Sequence, residues 1–587
     1  GGMPFVFMLR PDFPDTEHQQ LTIEGSPRAI CIDDRPWGEA RLTWTPAELV
    51  QRILSWFSRA IRGELHDARQ PIDPVLSGSP LHFLISRTML DGADERDLIG
   101  VYDTGHRQTL RVIPIQSHTG GLDNIDPVCV IAYRVEPERM TRMKFAPNNL
   151  ASLAEALEAR GIHLLNDLRK RLSGWVADGK AAAWRLNARF VVVVEAPIMS
   201  PRGDQQDGTD LRAYVSAQSA GDLAVALGVA LPSGAKDEGS DVGYVRAVVS
   251  NDPDDDALRE VSVNVAEIHY EFDRQGATQL TGRTEEDLRN AVVVGAGAIG
   301  SHVSDCLARE GRFSWAVIDD DHLLPHNLAR HTGRHADVTK NKADLVTRNL
   351  NAVYDCQSPV ATAIGANVFS AEPERSRINE ALRAADLIFD ASASVLVGRV
   401  LSDHDASARR VSIFFTPSGN GAVLLAEPVD RSCTLRDLEA QYLALVAGDD
   451  RLSDHLQNPV QSFAYTGACR AITNRIPESR VLTLSGLVAG GLGRAVDQPT
   501  GLIKIWSVQD DGAIDALTCV PNPVKTEMRG DWSVTIDLRV VDRNMELRRA
   551  CLPNETGGVL VGVVDIPAKR IHIVLAASAP PDSEETT

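Results

Sequence analysis

The residues best suited to chemistry cluster between positions 295 and 342. Gly295-Ala-Gly-Ala-Ile-Gly300 follows the apolar run Ala291-Val-Val-Val294. A strand that ends in Gly-x-Gly-x-x-Gly and opens a helix turns backbone N–H groups and the positive helix end toward a phosphate. The glycines permit the tight turn and close ligand approach. Asp319 follows Gly300 by 19 residues, where an acidic group can hold ribose hydroxyls. Taken alone, the loop and the acid fit a nicotinamide-dependent dehydrogenase as well as an ATP site.

The next segment reads Asp319-Asp-Asp-His-Leu-Leu-Pro-His-Asn-Leu-Ala-Arg330, then Lys340-Asn-Lys342. A dehydrogenase needs one acid at the strand end and no following Asn, Arg and Lys. ATP needs such cations, because triphosphate charge must be neutralised while pyrophosphate leaves. Arg330 or Lys342 alone reads as a solvated surface charge, whereas the ordered set points to phosphates. This pattern resembles the adenylating family that includes ubiquitin-activating enzymes and the bacterial enzymes that prime sulfur carriers. That family reads glycine loop, D-x-D, N-L-x-R, then a Lys on the following helix. The resemblance is close over about 286–400 and looser over 400–520. It implies that Gly295, Gly297 and Gly300 cradle the nucleotide and that Asp319 binds ribose. Asp321, Asn327, Arg330 and Lys342 would surround the phosphates and the attacking carboxylate. ATP and Mg2+ are the implied cofactors. The family has D-C-T-D after the third strand, with the second Asp on magnesium. Here the segment is Asp390-Ala-Ser-Ala393; Ala393 cannot bind metal, so either Asp390 takes over as the magnesium ligand or metal use differs from the family.

Adenylation alone leaves a reactive acyl phosphate, which ubiquitin-type enzymes pass to a cysteine thiolate. In that family the cysteine lies on a crossover after the later strands. Cys469, beside Arg470, is the first candidate, because an adjacent cation favours thiolate; Cys433 is the alternative. Cys306 falls within the phosphate helix and reads as core. A second candidate acyl carrier is Cys31 in Ala29-Ile-Cys31-Ile-Asp, followed by Trp44-Thr-Pro46 and a helix. This resembles ubiquitin-conjugating enzymes, which carry C-L, then W-S-P, then a helix. The spacing to Trp44 is longer than in that family and no His-Pro-Asn precedes Cys31, so the residue that steadies the acyl-transfer oxyanion is unidentified.

Near the end, Asn554-Glu-Thr-Gly-Gly-Val-Leu-Val-Gly562 followed by Arg570-Ile-His-Ile-Val-Leu575 resembles the opening of JAB/MPN-type metalloproteases. Glu555 matches their general acid/base. No H-x-H follows it, and His572 stands alone on its strand, so no zinc site and no deconjugating activity are expected. The expected organisation is 1–78, an abbreviated conjugating-enzyme-like domain; 79–285, mixed α/β with an inactive adenylation-like domain as one reading; 286–528, an adenylation domain with a cysteine crossover; and 529–587, a partial JAB/MPN-like domain.

The elements must position these residues. Thr45 is a suitable N-cap and Pro46 a suitable first helical residue. Leu49, Val50, Ile53, Leu54, Phe57 and Ile61 then recur at helical spacing. Leu150 to Val176 reads as helical with a break at Gly161. Strands are expected at Arg28–Ile32, Leu81–Ile85, Val128–Ala132 and Phe190–Val194, and surface loops at 200–210 and 233–242. From 286 the order is strand, glycine loop, helix from Ile299 to Glu310, then a strand at Trp315–Ile318, with later strands at Leu387–Phe389 and Val411–Phe415. Alternating strands and helices predict a mainly parallel, Rossmann-like sheet. From Ser533 the pattern is strand, helix, strand. The fold class is therefore multidomain α/β, a Rossmann-like adenylation domain preceded by an α+β conjugating-enzyme-like domain.

The chain has 587 residues and a net charge of −20, which argues against nucleic-acid binding by phosphate neutralisation and suits docking to a basic partner. It holds no apolar run of the ~20 residues a membrane helix needs and no secretory leader is expected. Eight scattered cysteines read as reduced thiols of the cytoplasm. The expected partners are a ubiquitin-like protein with a free C-terminal tail and an unknown target, with a homodimer or internal pseudo-dimer supplying the second copy that adenylating domains of this family use. Bacterial fusions of this kind resemble parts of antiviral defence operons. Two other readings stand beside conjugation: an adenylating enzyme serving a sulfur carrier or peptide, and a degenerate nucleotide-binding scaffold.

Overall fold

The computed structural model describes residues 3–22, 25–66, 81–91, 97–103, 106–117, 127–140, 146–178, 183–199, 206–233, 243–248, 253–354, 358–455, 463–464, 472–473, 475–553 and 557–578. Cys469 and Glu555, both expected site residues, lie outside them, as do the polar tail and most of the loop at 233–242. The chain forms two compact units, Gly1–Glu271 and Phe272–Thr587.

The first unit opens with a small antiparallel sheet, in which Arg28–Ile30 pairs with Val6–Met8 on one side and Gln19–Gln20 on the other. The helix Pro46–Arg62 follows, and the Thr45 hydroxyl accepts from Glu48 N at 3.1 Å, the expected cap. Trp56 from this helix packs on Ile30, Ile32 and Leu65. Beyond it, seven strands form a closed ring: Gln206–Ser219, Val263–Tyr270, His82–Ile85, His106–Pro114, Leu98–Asp103, Val128–Arg134 and Arg189–Met199, which pairs back onto Gln206–Ser219. The expected loop at 200–210 is thus partly the start of a hairpin strand. Phe83, Leu110, Val130, Val191, Ala213 and Ile268 form one core on this sheet. The helices Leu150–Glu158 and Leu164–Ala177 bury a second core, separated at Gly161, whose φ of +78° ends the first helix. This closed ring mixes parallel pairs with the hairpins Leu98–Asp103/His106–Pro114 and Arg189–Met199/Gln206–Ser219, and so differs from the open, mainly parallel sheet of an adenylation-like copy, one reading of 79–285.

In the second unit an eight-stranded sheet runs in the order Ala361–Ile364, Arg312–Ile318, Asp287–Val294, Leu387–Asp390, Arg409–Phe415, Gly421–Ala426, Leu502–Val508, Ile514–Cys519. The first five strands are mutually parallel and the last three antiparallel. The parallel portion is the expected doubly wound arrangement. Val293, Val303, Leu307, Trp315, Val488 and Leu492 share its core, which joins the helix Ala298–Arg309 to the long helix Glu478–Val496. The C-terminal sheet orders Val524–Arg529, Trp532–Asp537, Arg570–Ser578 and Gly558–Asp565, with the helix Leu538–Cys551 between its second and third strands in sequence. It is tied down by charge: Arg436 pairs with Asp565 at 2.8 Å and His572 with Asp437 at 3.1 Å. No helix among the described residues is long and apolar enough to cross a membrane.

Candidate adenylation site

Strand order places the site. From Asp287–Val294 the sheet extends to Arg312–Ile318 on one side and to Leu387–Asp390 on the other, so the order reverses there, and ligands of open parallel sheets bind in such a crevice at the carboxyl ends. Val294 pairs with Ile318 and with Asp390, so the glycine loop, Asp319 and Asp390 emerge side by side.

Each loop glycine has its own reason. Gly295 has φ +99°, and a Cβ there would lie 2.7 Å from the Ser392 backbone nitrogen. A Cβ on Gly300 would lie 2.0 Å from the Gly295 carbonyl oxygen. Gly297 caps the helix Ala298–Arg309, and a Cβ there would meet open space. That space is the cradle a phosphate could enter, facing the helix N-terminus.

Ala296 is held at both backbone groups. Its N–H donates to Asp319 Oδ2 at 2.7 Å, and its carbonyl contacts His331 Nε2 at 2.8 Å. Asp319 Oδ1 also accepts from Asp321 N at 2.8 Å. Burial pushes the Asp319 carboxyl up, against these two backbone donors. His331 Nδ1 accepts from Gly333 N at 2.9 Å, which fixes the neutral tautomer with the proton on Nε2. Burial lowers this imidazole to about 4.

Asn341 caps the helix Lys342–Asn351 and donates to the carbonyls of Asp319 and Asp321. Lys342 Nζ then lies 2.8 Å from Asp321 Oδ2, with the lysine buried and the Asp321 side chain 47% exposed. Asn327 turns inward, and its Oδ1 accepts from Leu324 N at 2.9 Å, closing the short helix Pro325–Ala329. Burial lowers the Arg330 guanidinium, opposed by Glu478. Glu478 also lies 3.2 Å from His302 Nε2 on the phosphate helix. His326 sits near both cations; burial lowers it, with Lys342 and Arg330 adding to the effect.

Asp390 does not fit the direct magnesium role expected of it. It is 3% exposed, Oδ1 accepts from Ser392 N and Oγ at 3.1 and 2.6 Å, and Oδ2 accepts from Ser412 Oγ at 3.0 Å. It braces the turn against which Gly295 packs. Ala393 on that turn has φ +53°.

Among the cysteines, Cys433 is buried with Leu435, Leu438 and Tyr442, and burial pushes its thiol far above the ordinary range, so it is no thiolate. Cys306 packs against the sheet core, as expected, and burial raises it. Cys31 is half-buried at the end of Arg28–Ile30; its N–H donates to His18 O at 2.9 Å and its Sγ lies 3.6 Å from Asp33 O. Asp33 fixes that turn through Arg35 at 2.8 Å and Arg52 at 3.1 Å. The sequence offered no spacing rule for His331, His302 or Glu478; Asn341 was also missed, although an Asn directly before a helical Lys is the cap signal.

Comparison with known proteins places these regions. Residues 1–80 match Prokaryotic E2 family A, and residues 272–434 match the ThiF family, whose start coincides with that of the second unit. An uncharacterized protein, y4qC, of Sinorhizobium fredii is 28% identical over 151 residues, 25% of this chain and 26% of that protein. An ATP-dependent ubiquitin transferase-like protein Cap2 of Enterobacter hormaechei is 32% identical over 143 residues, 23% of each chain. The matched stretches thus span about a quarter of these curated relatives. Solved structures of PaaA and of E. coli MccB with ATP align at 16% and 17% identity, each with a TM-score of 0.27, covering 42% and 40% of this chain and 66% and 64% of theirs. The two family matches thus cover residues 272–434, similar to the ThiF family, and residues 1–80, similar to prokaryotic E2 family A.

Proposed function

We propose that the second unit adenylates the C-terminal carboxylate of a ubiquitin-like protein with ATP as co-substrate. The single observation that carries this reading is the cradle at Gly297, open at the sheet's switch point and flanked by Asp319 and the Lys342–Asp321 pair. The phosphates sit against the N–H groups that open the helix Ala298–Arg309, and Asp319 takes the ribose hydroxyls. The carboxylate oxygen attacks the α-phosphorus, the bond to the β,γ-phosphates breaks, and pyrophosphate leaves. Lys342 and Arg330 neutralise the charge that develops. With both Asp390 oxygens engaged by serines, no step is routed through a magnesium ion on Asp390.

The acyl adenylate then meets a thiolate, proposed to be Cys469: the C–S bond forms and AMP leaves with the electron pair of the broken C–O bond. Transfer to Cys31 exchanges one thioester for another, and an amine or hydroxyl of the target takes the acyl group. The family matches at 1–80 and 272–434 support pairing an activating with a conjugating domain in one chain. The C-terminal sheet, in a JAB/MPN-like reading, serves docking rather than hydrolysis, because His572 is buried against Asp437. Association of two chains, residence in the cytoplasm and a part in antiviral defence complete the proposal.

ATP–pyrophosphate exchange in the presence of candidate ubiquitin-like proteins tests the adenylation step. Exchange that depends on an intact carrier tail, and is lost in Lys342→Ala, is the expected result. Absence of exchange with every carrier leaves the nucleotide-binding scaffold, a reading that the engaged Asp390 and Ala393 favour. A thiol-sensitive adduct that disappears in Cys469→Ala is expected for the carrier cysteine; an adduct that survives overturns that assignment. Conjugation that persists in Cys31→Ala removes the conjugating role of the first domain.

A further inference from the structure

The closed sheet of the first unit carries three metal-ligating side chains on one outer face. In the strand His82–Ile85, Phe83 and Ile85 point into the core, so His82 lies on the opposite face. In Val263–Tyr270, Ala266 and Ile268 point inward, so Glu267 and His269 share the outer face two residues apart. The strands are parallel neighbours with Glu267 directly beside His82. His82 Nδ1 lies 3.2 Å from Glu267 Oε2, and His269 Nε2 lies 2.9 Å from Glu267 Oε1. The ligand atoms of all three residues lie within 4.8 Å of one another.

We propose that His82, Glu267 and His269 form a binding site for a divalent cation of the zinc class. Two imidazoles and one carboxylate are a ligand set for zinc and its first-row neighbours rather than for calcium or magnesium. Zinc bonds of ~2.0–2.2 Å in a tetrahedron set ligand atoms roughly 3.4 Å apart, close to the spacing already present. Neighbouring strands of a hydrogen-bonded sheet fix the three Cβ positions, so binding needs only side-chain rotation. The proton on each coordinating ring nitrogen moves to the other nitrogen of the same ring, so neutral imidazoles bind without net proton loss. A fourth position faces solvent and is open to water or an anion. Its three ligands all belong to the first unit, and the adenylation chemistry proposed above uses none of them. It arises from residues far apart in sequence, which explains why no motif announced it.

The test is equilibrium dialysis of the full chain against Zn2+, with Co2+ absorption as a second reading. The wild type should bind one equivalent that is lost, or weakened at least tenfold, in His269→Ala, His82→Ala and the near-isosteric Glu267→Gln. The visible absorption of bound Co2+ should vanish with it. Metal-free thermal unfolding of the variants, unchanged from wild type, confirms that they fold. Unchanged Zn2+ stoichiometry and affinity in all three overturn the proposal, and so does binding that depends only on cysteines.

Discussion

Lys342 places its ammonium 2.8 Å from the Asp321 carboxylate at the mouth of the crevice, with the lysine buried and the acid half in solvent. The pair holds a cation ready where phosphate oxygens would arrive, and a phosphate can take Asp321's place. Lys342→Ala should therefore lower exchange by about 10²–10³-fold. Asp321→Asn should leave the lysine in place and affect ATP binding more than turnover. KM and kcat of pyrophosphate exchange check both.

His331 predicts a pH dependence. Its folded-state value is about 4 against an ordinary 6.5, so the folded state favours the neutral ring. The stability this contributes, roughly 3 kcal/mol, is fully present above pH 6.5 and is lost as pH falls toward 4. Protonation places a second hydrogen on Nδ1, against the Gly333 N–H that it now accepts. Thermal unfolding of wild type should steepen over this window. His331→Phe should flatten the profile there while lowering Tm at neutral pH, since Ala296 O loses its donor.

What was legible follows from range. The cap at Thr45, the break at Gly161 and the strand–loop–helix around Gly295 depend on neighbours in sequence and were readable. The positions of Asp319 at a strand end and of Lys342 at the head of a helix were readable because a known pattern spaces them. His331 on Ala296, Glu478 beside His302 and Ser412 on Asp390 were not, because each contact joins segments that only the folded sheet brings together. The closed ring in the first unit was hidden for the same reason: alternation shows strands but not which edges meet.

Asp33 should set the geometry of the Cys31 turn. Its carboxyl is held below the usual range chiefly by the Arg35 hydrogen bond, and Arg52 on the following helix adds an ion pair at 3.1 Å. Asp33→Ala removes the carboxylate that both arginines share, although Arg52 keeps Glu48, and should cost about 1–2 kcal/mol. The contribution is present above an ordinary carboxylate value of 3.8 and is lost only as pH falls below it. Urea unfolding of the full chain at pH 7 and pH 3 should show a smaller gap between wild type and variant at the lower pH.

The loop glycines divide into two classes by what a methyl group would meet. Gly295→Ala forces a side chain into left-handed backbone at φ +99° and against the Ser392 main chain, and Gly300→Ala collides with the Gly295 carbonyl. Both should lower stability by at least ~2 kcal/mol. Gly297→Ala meets open space at φ −78°, so its Tm should stay near wild type. Its methyl group instead enters the phosphate cradle, and the KM for ATP should rise at least tenfold. An unchanged KM in a folded Gly297→Ala protein would move the phosphates away from this helix terminus.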